Sequence, residues 1–341
     1  MAQFIPRQTF TLPNSIPKTY YLGHHAAAQG DMIKRLNTIH LILECRDLRL
    51  PLTTNNPLLE HSLAGRERIV VFTKSDLTIN SPQYVNALRK LYGDRFVLWN
   101  KSSPDATKTL LKKVKDIARA IDPLAGMRAM IVGMPNVGKS TLLNTLRSRG
   151  LPHKNSKAAK TGGQPGVTRK IGTSVRIVET EGKDSKGGVG DGGVFMLDTP
   201  GVFVPYVDNA ETMVKIALVQ GIKIGLIPSE VLVDYLLYRL NKINPAFYKR
   251  YSDPTNDVQQ LLTSVAVKTG KLKAGGVPEL EAAASAFLKD WRAGKLGKFM
   301  LEDLSDEAIE EHQHRMLNPP LSMNQAKKQH KEARAQERAG A

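Results

Sequence analysis

One segment of the chain has the residue types and spacing of a phosphate-binding loop. Residues 133–140 read GMPNVGKS and match the pattern G-x-x-x-x-G-K-[ST] in full. An apolar stretch precedes the loop and a helix-compatible TLLNTLRSR follows it. In such loops backbone N–H groups surround phosphate oxygens, a lysine (Lys139) bridges the β- and γ-phosphates, and a hydroxyl (Ser140) coordinates Mg²⁺. The segment predicts a nucleoside triphosphate site, whose other expected contacts are Asn136, Val137, Gly138 and Thr141.

Two further segments supply groups for the metal and the γ-phosphate. Residues 198–201, DTPG, follow an apolar stretch, so the carboxylate of Asp198 stands at a strand end where it can hold the shell of the Mg²⁺. Gly201 can turn its amide to the γ-phosphate. Residues 165–169, PGVTR, lie in a Gly-rich basic loop, and Thr168 is the hydroxyl expected on the metal. Together they predict a pair of switch segments.

Recognition of the base depends on residues 68–76. The apolar run RIVVF leads into Thr73, Lys74, Ser75 and Asp76, which resemble the guanine-specificity element N-K-x-D with Thr in place of Asn. A carboxylate at Asp76 can accept two N–H bonds from the guanine edge, and the stem of Lys74 can pack over the ring. The next strand candidate ends in NKSS, residues 100–103, which resembles the loop that contacts the base. Three residues remain alternatives for that contact: Lys101, Ser102 and Ser103.

The order of these motifs is permuted. In ordinary GTPases the phosphate loop comes first, whereas here residues 73–76 precede residues 133–140. The chain therefore resembles the circularly permuted GTPases, and within them the YlqF/RbgA family of ribosome-assembly GTPases, in its eukaryotic mitochondrial branch. The resemblance rests on YYLGHH at 20–25, DLRLPLTTNNP at 47–57, the phosphate loop, and PGVTR before DTPGV.

The resemblance implies a GTPase for maturation of the large subunit of the mitochondrial ribosome, with low intrinsic activity that the ribosome stimulates. Mg²⁺ is the implied cofactor, and large-subunit rRNA and GTP or GDP are the implied partners of a monomer. The matrix side of the mitochondrion is the implied location, with peripheral contact to the inner membrane. Residues 1–30 contain no acidic residue, as in a presequence, but Pro6, Pro13 and Pro17 would interrupt a long amphipathic helix there.

The residue that positions the attacking water is not evident from the motifs. Val202 and Phe203 occupy the place where Ras-type enzymes carry a glutamine, and neither side chain can bond a water. The resemblance implies a histidine of the G-H motif, His24, with His25 as a second candidate. The alternative, a histidine that caps a helix beginning near Ala26, stays open. The resemblance also associates Asn136 with a K⁺ ion that replaces an arginine finger.

The charge balance points to an anionic partner. The 341 residues carry 49 Lys and Arg against 32 Asp and Glu, a net charge of +17. Residues 101–175 hold 15 of the basic residues and 3 acidic ones, a net charge of +12. Nucleic acid, or an anionic membrane surface, would bind such a region. The one cysteine, Cys45, excludes an internal disulfide and a Cys-rich zinc site, and no apolar run is long enough for a transmembrane helix.

Strands and helices alternate through the first part of the chain, which predicts an α/β domain with a mixed, mostly parallel sheet. Six strands are expected, over residues 39–44, 68–73, 96–99, 129–133, 172–180 and 193–197, the last two as an antiparallel pair joined by a Gly-rich loop at 181–193. Helices are expected over residues 82–91, 105–121 and 139–146. After residue 207 only helical spacing recurs, over 210–221, 229–242, 258–269 and 279–293.

These patterns divide the chain into four parts. The expected parts are an N-terminal extension or targeting segment (1–19), a circularly permuted P-loop GTPase domain (20–207), an all-helical C-terminal domain (208–320) and a disordered basic tail (321–341). Two alternatives to a ribosome-assembly GTPase stay open. One is a GTP-gated ribosome- or membrane-docking module with negligible hydrolysis, and the other is a GTPase that binds anionic lipid through its basic helices.

Overall fold

The structure is a computed structural model that describes residues 4–17, 30–121, 123, 125–151, 172–179, 192–202, 207 and 209–318. Several predicted features lie outside the described residues: His24, His25, Thr168, the loop at 181–191 and the basic tail.

The first part of the chain forms a six-stranded sheet in the order β3-β2-β1-β4-β6-β5. Its strands are β1 (Leu41–Asp47), β2 (Arg68–Thr73), β3 (Phe96–Leu98), β4 (Met127–Gly133), β5 (Val175–Val178) and β6 (Val194–Asp198). All pairs are parallel except β5 with β6. The mixed, mostly parallel sheet is therefore confirmed, and each predicted strand is found with its ends shifted by at most a few residues.

Helices join these strands and cover both faces of the sheet. They are α1 (Pro57–Leu63), α2 (Pro82–Tyr92), α3 (Pro104–Ile121) and α4 (Lys139–Gly150). Every residue of β1 is buried, as expected for a central strand of a parallel sheet whose two faces are covered. Along it, Leu41 and Leu43 join the core on one face, whereas Ile42 packs with Leu59 and Met130 on the other.

The second part of the chain is all-helical, as predicted. It contains α5 (Ala210–Leu218), α6 (Ser229–Ile243), α7 (Val258–Thr269), α8 (Leu280–Arg292) and α9 (Asp306–Leu317). Caps at both ends set the bounds of α7. The Asp257 side chain accepts from two backbone N–H groups at the start, and Gly270 takes φ 66° at the end. Its apolar residues belong to the same core cluster as one face of the sheet.

The parallel strands bring their carboxyl ends to one edge of the sheet. Asp47 at the end of β1 is level with Thr73 at the end of β2, and Gly133 at the end of β4 is level with Cys45 of β1. In sheets of this kind ligands bind outside these carboxyl ends. Among the described residues, the predicted phosphate loop, the DTPG segment and the two base segments all start there.

Candidate functional site

The predicted phosphate loop lies between the end of β4 and the start of α4. Gly133 has φ 140°, and a Cβ at this position would lie 2.3 Å from the carbonyl oxygen of Cys45, so only glycine fits. Asn136 and Gly138 also take positive φ angles, of 57° and 94°. A loop with such angles leading into a helix forms a concave run of backbone N–H groups that binds anions.

Lys139 lies inside this loop. Its Nζ donates to the carbonyl oxygens of Gly133 at 3.2 Å and Met134 at 2.8 Å. The side chain is buried, and burial lowers the pKa of Lys139 while the nearby charge of Asp198 opposes that effect. The arrangement holds a cationic group within the concave surface where phosphate would bind.

Ser140 and Asp198 meet beside Lys139. The Ser140 hydroxyl donates to Asp198 Oδ2 at 2.6 Å, although 58 residues separate the two in sequence. Burial raises the pKa of the Asp198 carboxyl, against the hydrogen bond from Ser140 and the charge of Lys139. The other carboxylate oxygen, Oδ1, is buried and has no hydrogen-bond partner among the described residues.

These oxygen atoms fit the Mg²⁺ that GTPases generally use. A hydroxyl and a carboxylate with an unsatisfied oxygen, next to a phosphate loop, suit a hard cation that takes its remaining ligands from phosphate and water. No group of three or more His, Cys, Asp or Glu side chains able to hold a metal occurs within the part of the chain that the structure describes. The donor set therefore fits an ion bound together with a nucleotide.

The predicted base-recognition element packs against the phosphate loop. Thr73 Oγ1 lies 2.6 Å from the carbonyl oxygen of Val137 and 3.1 Å from that of Arg46, and its single hydrogen can serve one of them at a time. Lys74 takes φ 57°, and its Nζ donates to the carbonyl oxygen of Asn136 at 2.9 Å. Thr73, the departure from N-K-x-D, thus still ties this element to the loop.

Asp76 and the loop after β3 complete the base side of the site. The Asp76 side chain is exposed, and the described part of the chain offers it no hydrogen bond or ion pair. The Asn100 side chain donates to Ser75 Oγ at 3.1 Å and accepts from the backbone N–H of Ser102 at 3.0 Å. Lys101 and Ser102 are exposed beside them. The structure brings the two base segments together and leaves the three candidates for the base contact open.

The DTPG segment packs directly on the phosphate loop. A Cβ on Gly201 would lie 2.6 Å from the Cα of Pro135, and the backbone N–H of Val202 donates to the Gly133 carbonyl at 3.2 Å. The Val202 side chain is buried in the core cluster that contains Ile42, Leu59 and Met130. It therefore offers no group to a water at the site, as the sequence predicted.

Sequence reasoning did not identify several residues that surround the site. Asp47 accepts hydrogen bonds from Lys74 Nζ at 2.8 Å and from Arg49 Nη2 at 2.7 Å. Burial alone would raise the pKa of Asp47, but the charges of Arg49 and Lys74 hold it well below its usual range. The carbonyl of Gln220 accepts from Asn136 Nδ2 at 2.7 Å. Asp47 and Arg49 were visible only as part of a motif, and Gln220 carries no sequence signal.

Helix α3 presents a row of cations to solvent. The row consists of residues spaced by four, three and four positions, which places them on one flank of the helix: Lys108, Lys112, Lys115 and Arg119. Two exposed carboxylates on the same helix approach them at 3.7 and 3.8 Å, Asp105 and Asp116. The helix starts directly after the base-contact loop, so part of the predicted basic excess extends from the nucleotide site along the surface.

A sheet of this strand order, with a base-recognition element after β2 and a phosphate loop after β4, defines a circularly permuted GTPase. Residues 128–252 match the family model described as 50S ribosome-binding GTPase. The structure resembles that of nucleotide-bound YlqF from T. maritima with a TM-score of 0.54, at 24% identity over 82% of this chain and 99% of that one. This likeness establishes the fold.

Sequence relatives establish the family. The chain is 36% identical to mitochondrial GTPase 1 of Schizosaccharomyces japonicus over 85% of this chain and 91% of that protein. It is 30% identical to ribosome biogenesis GTPase A of Bacillus cereus over 83% of this chain and 93% of that protein. The chain belongs to this family of circularly permuted GTPases, and it is a GTP hydrolase.

Proposed function

We propose that this GTPase acts in maturation of the large subunit of the mitochondrial ribosome and thereby supports mitochondrial translation. The observation that carries the proposal is the permuted site itself, in which Thr73 and Lys74 hold the carbonyls of Val137 and Asn136. Relatives whose sequences match more than four fifths of this chain bear the names mitochondrial GTPase 1 and ribosome biogenesis GTPase A. The proposal extends to a location on the matrix side of the mitochondrion, with peripheral contact to the inner membrane, as the family resemblance implies. Within the described residues, no helix has the length and apolar character to cross a bilayer.

In the proposed site each group has one role. The phosphate loop and Lys139 would bind the β- and γ-phosphates, and Ser140, Asp198 and Thr168 would supply the oxygen atoms that hold Mg²⁺. Bound Mg²⁺ would neutralise phosphate charge. Asp76 and Lys74 read guanine, with Ser75, Lys101 and Ser102 around the base. The family analogy adds His24 for the attacking water and K⁺ at Asn136.

The two larger parts of the chain would have different functions. Residues 20–207 would bind and hydrolyse GTP, residues 208–320 would contact ribosomal RNA, and the cationic row of α3 would add contacts to the phosphate backbone. Such contacts release counterions and need no base sequence. The alternative of a GTP-gated docking module is favoured by one observation, the buried apolar Val202 at the place of a water-positioning glutamine.

One experiment separates these functions. Tagged protein is sedimented with purified large subunits in GDP and in a non-hydrolysable GTP analogue, and GTP hydrolysis is measured with and without subunits. Co-sedimentation that depends on the nucleotide, together with a rate raised by subunits, is expected. Binding without any rise in rate would favour the docking module, and binding to anionic vesicles alone would favour the membrane alternative. Equal rates in Na⁺ and K⁺ buffers would remove K⁺ from the site.

A further inference from the structure

The turn after α5 connects the helical domain to the phosphate loop. Asn136 Nδ2 donates to the carbonyl of Gln220 in this turn at 2.7 Å, and Gln220 holds a φ angle of 63°. Arg292, at the end of α8, donates through Nε to the Leu218 carbonyl at 2.8 Å and through Nη2 to the Ala217 carbonyl at 3.4 Å. The last carbonyls of a helix carry partial negative charge, so a cation there fixes the end of α5 and the turn beyond it.

A second route runs from α8 through the end of β1. The Arg49 guanidinium lies over the Trp291 ring, 5.0 Å from its centroid. Its Nε and Nη2 donate to the Asp47 carboxylate at 3.0 and 2.7 Å. Asp47 accepts from Lys74 Nζ at 2.8 Å, and the same Nζ donates to the Asn136 carbonyl at 2.9 Å. The first route thus ends on the side chain of Asn136 and the second on its backbone.

Packing of the helical domain alone does not account for these cations. Arg49 is 3% exposed, and its Nη1 has no hydrogen-bond partner among the described residues. Burial and the nearby charge of Arg49 lower the pKa of Arg292 to about 10. Arg49 is buried and Arg292 is half-buried, and like charges in such surroundings oppose folding, so apolar side chains of similar size would commonly pack there at less cost. Guanidinium groups at both positions are explained if their N–H donors fix particular acceptors. Arg292 donates to backbone carbonyls of α5, and Arg49 donates to the Asp47 carboxylate.

We propose that Arg49 and Arg292 are positioning residues of the nucleotide site, which join α8 of the helical domain to the phosphate loop at Asn136. This inference rests on the proposed guanine-nucleotide site. Neither route passes through a residue of the DTPG segment, so the helical domain has a connection to the loop besides the continuous chain. By linkage, a partner that moves α8 changes nucleotide affinity, and bound nucleotide changes affinity for that partner by the same factor.

The test uses the full chain and a fluorescent GDP analogue. Equilibrium binding and dissociation are measured for the wild-type protein and for Arg292→Ala, Arg292→Lys, Arg49→Ala and Asn136→Ala, alone and combined. Arg250→Ala is the matched control, because Arg250 pairs with Asp290 of the same helix at 2.5 Å and contacts none of the loop residues. We expect Arg292→Ala to raise the Kd about tenfold, within the range of coupling seen between residues of one network. Arg292→Lys, which keeps a donor for the Leu218 carbonyl, should recover part of the loss.

The combined variants separate positioning from general destabilisation. If Arg292 acts through the Gln220–Asn136 hydrogen bond, Arg292→Ala should add little in the Asn136→Ala background. Equal weakening by Arg292→Ala and Arg250→Ala, or a full effect of Arg292→Ala in that background, would overturn the inference. Should Arg292→Ala fail to fold, Arg292→Lys carries the same comparison. Wild-type protein that binds no GDP would overturn the nucleotide site itself, whereas tight binding unchanged by all the arginine variants would overturn only the positioning role.

Discussion

Single residues at the carboxyl ends of β1, β2 and β4 do more than present groups to a ligand. Thr73 and Lys74 each donate a hydrogen bond to a backbone carbonyl of the phosphate loop, and the backbone of Lys74 is in the left-handed region. Strained backbone of this kind persists where surrounding contacts determine it, and it clusters at ligand sites. The base-recognition element therefore stabilises the shape of the loop as well as facing the base.

Asp76 offers the cleanest test of base recognition, because its side chain is exposed and its replacement should leave the fold intact. We expect Asp76→Asn to weaken GDP binding by about 100-fold, since two hydrogen bonds from the guanine edge to a charged acceptor are lost. An amide can instead donate to a carbonyl, so binding of a xanthine nucleotide should improve. Titration with labelled GDP and xanthosine diphosphate measures both.

The matched control is Asp94→Asn, at a carboxylate whose side chain is 93% exposed and which precedes β3, at the end of the strand opposite to the site. It should leave both affinities unchanged. Asp76→Asn with wild-type preference for guanine would show that another residue reads the base.

His312 predicts a pH dependence of stability. Its Nε2 lies 3.3 Å from Asn55 Nδ2, and burial together with the charges of Arg46 and Arg315 lowers the pKa of His312 from 6.5 to about 4. Because the folded pKa is the lower one, the unfolded chain binds the proton first, and stability is lost as pH falls from about 6.5 to about 4. The loss should approach about 3 kcal/mol across this window.

Urea unfolding at pH 7.0, 5.5 and 4.5 measures this effect, with His312→Gln as the comparison because glutamine can still accept from Asn55. The wild-type protein should lose more stability on acidification than the variant does. Parallel curves for the two proteins would remove His312 as the source.

Among the elements, the N-terminal segment makes contacts that its sequence does not predict. Residues 4–17, which belong to the predicted extension or targeting segment, lie on the helical part of the chain. Arg7 pairs with Asp234 of α6 at 2.5 Å, and the Phe10 ring meets Tyr235 edge-on at 5.4 Å between centroids. Ile16 is 6% exposed and belongs to the main core cluster.

The same segment contains its own control for a stability test. Ile16→Ala should lower the free energy of unfolding by about 2–4 kcal/mol, because it deletes buried methyl groups from the core. Ile5→Ala should have no measurable effect, since Ile5 is 72% exposed. Thermal and urea unfolding of both variants measure this difference in the free energy of unfolding. Equal stability of the two variants would mean that the segment does not pack on the core in solution.

Prediction of the elements succeeded where the sequence pattern is local. Strands of the parallel sheet read as short apolar runs, and α7 was placed residue for residue because its apolar period and both caps are visible. Helix α9 was missed because it is mostly polar and buries only Ile309 and His312. Such a helix, begun by a Ser305 cap, leaves little amphipathic signal.

At the scale of the whole molecule, the contacts of the site likewise include some that a local sequence pattern predicts and some that it does not. The phosphate loop was predictable from eight consecutive residues, whereas the contact of Arg49 with Trp291 joins positions more than two hundred residues apart and has no local pattern. The permuted order of motifs placed β1 and β2 before the loop, and the structure shows why that order still builds one site. Strands that are parallel neighbours deliver their ends to the same edge whatever their order along the chain.

The net charge of +17 also acts at this scale, and its salt dependence can be assigned to a surface. The cationic row of α3 spans about 16 Å along the helix, from Lys108 to Arg119. Replacing its four members by glutamine should flatten the plot of log binding constant against log salt by about 3, at about 0.7 per phosphate contact on single-stranded RNA. Filter binding to large-subunit rRNA between 50 and 300 mM KCl, about the range where such contacts weaken, measures this slope. An equal-charge control replaces four exposed basic residues that lie outside both α3 and the helical part: Lys34, Arg35, Arg89 and Arg95. A general electrostatic attraction would lower the slope equally in both variants. An RNA face on α3 would lower it mainly in the α3 variant, because only charges that contact phosphates release counterions on binding.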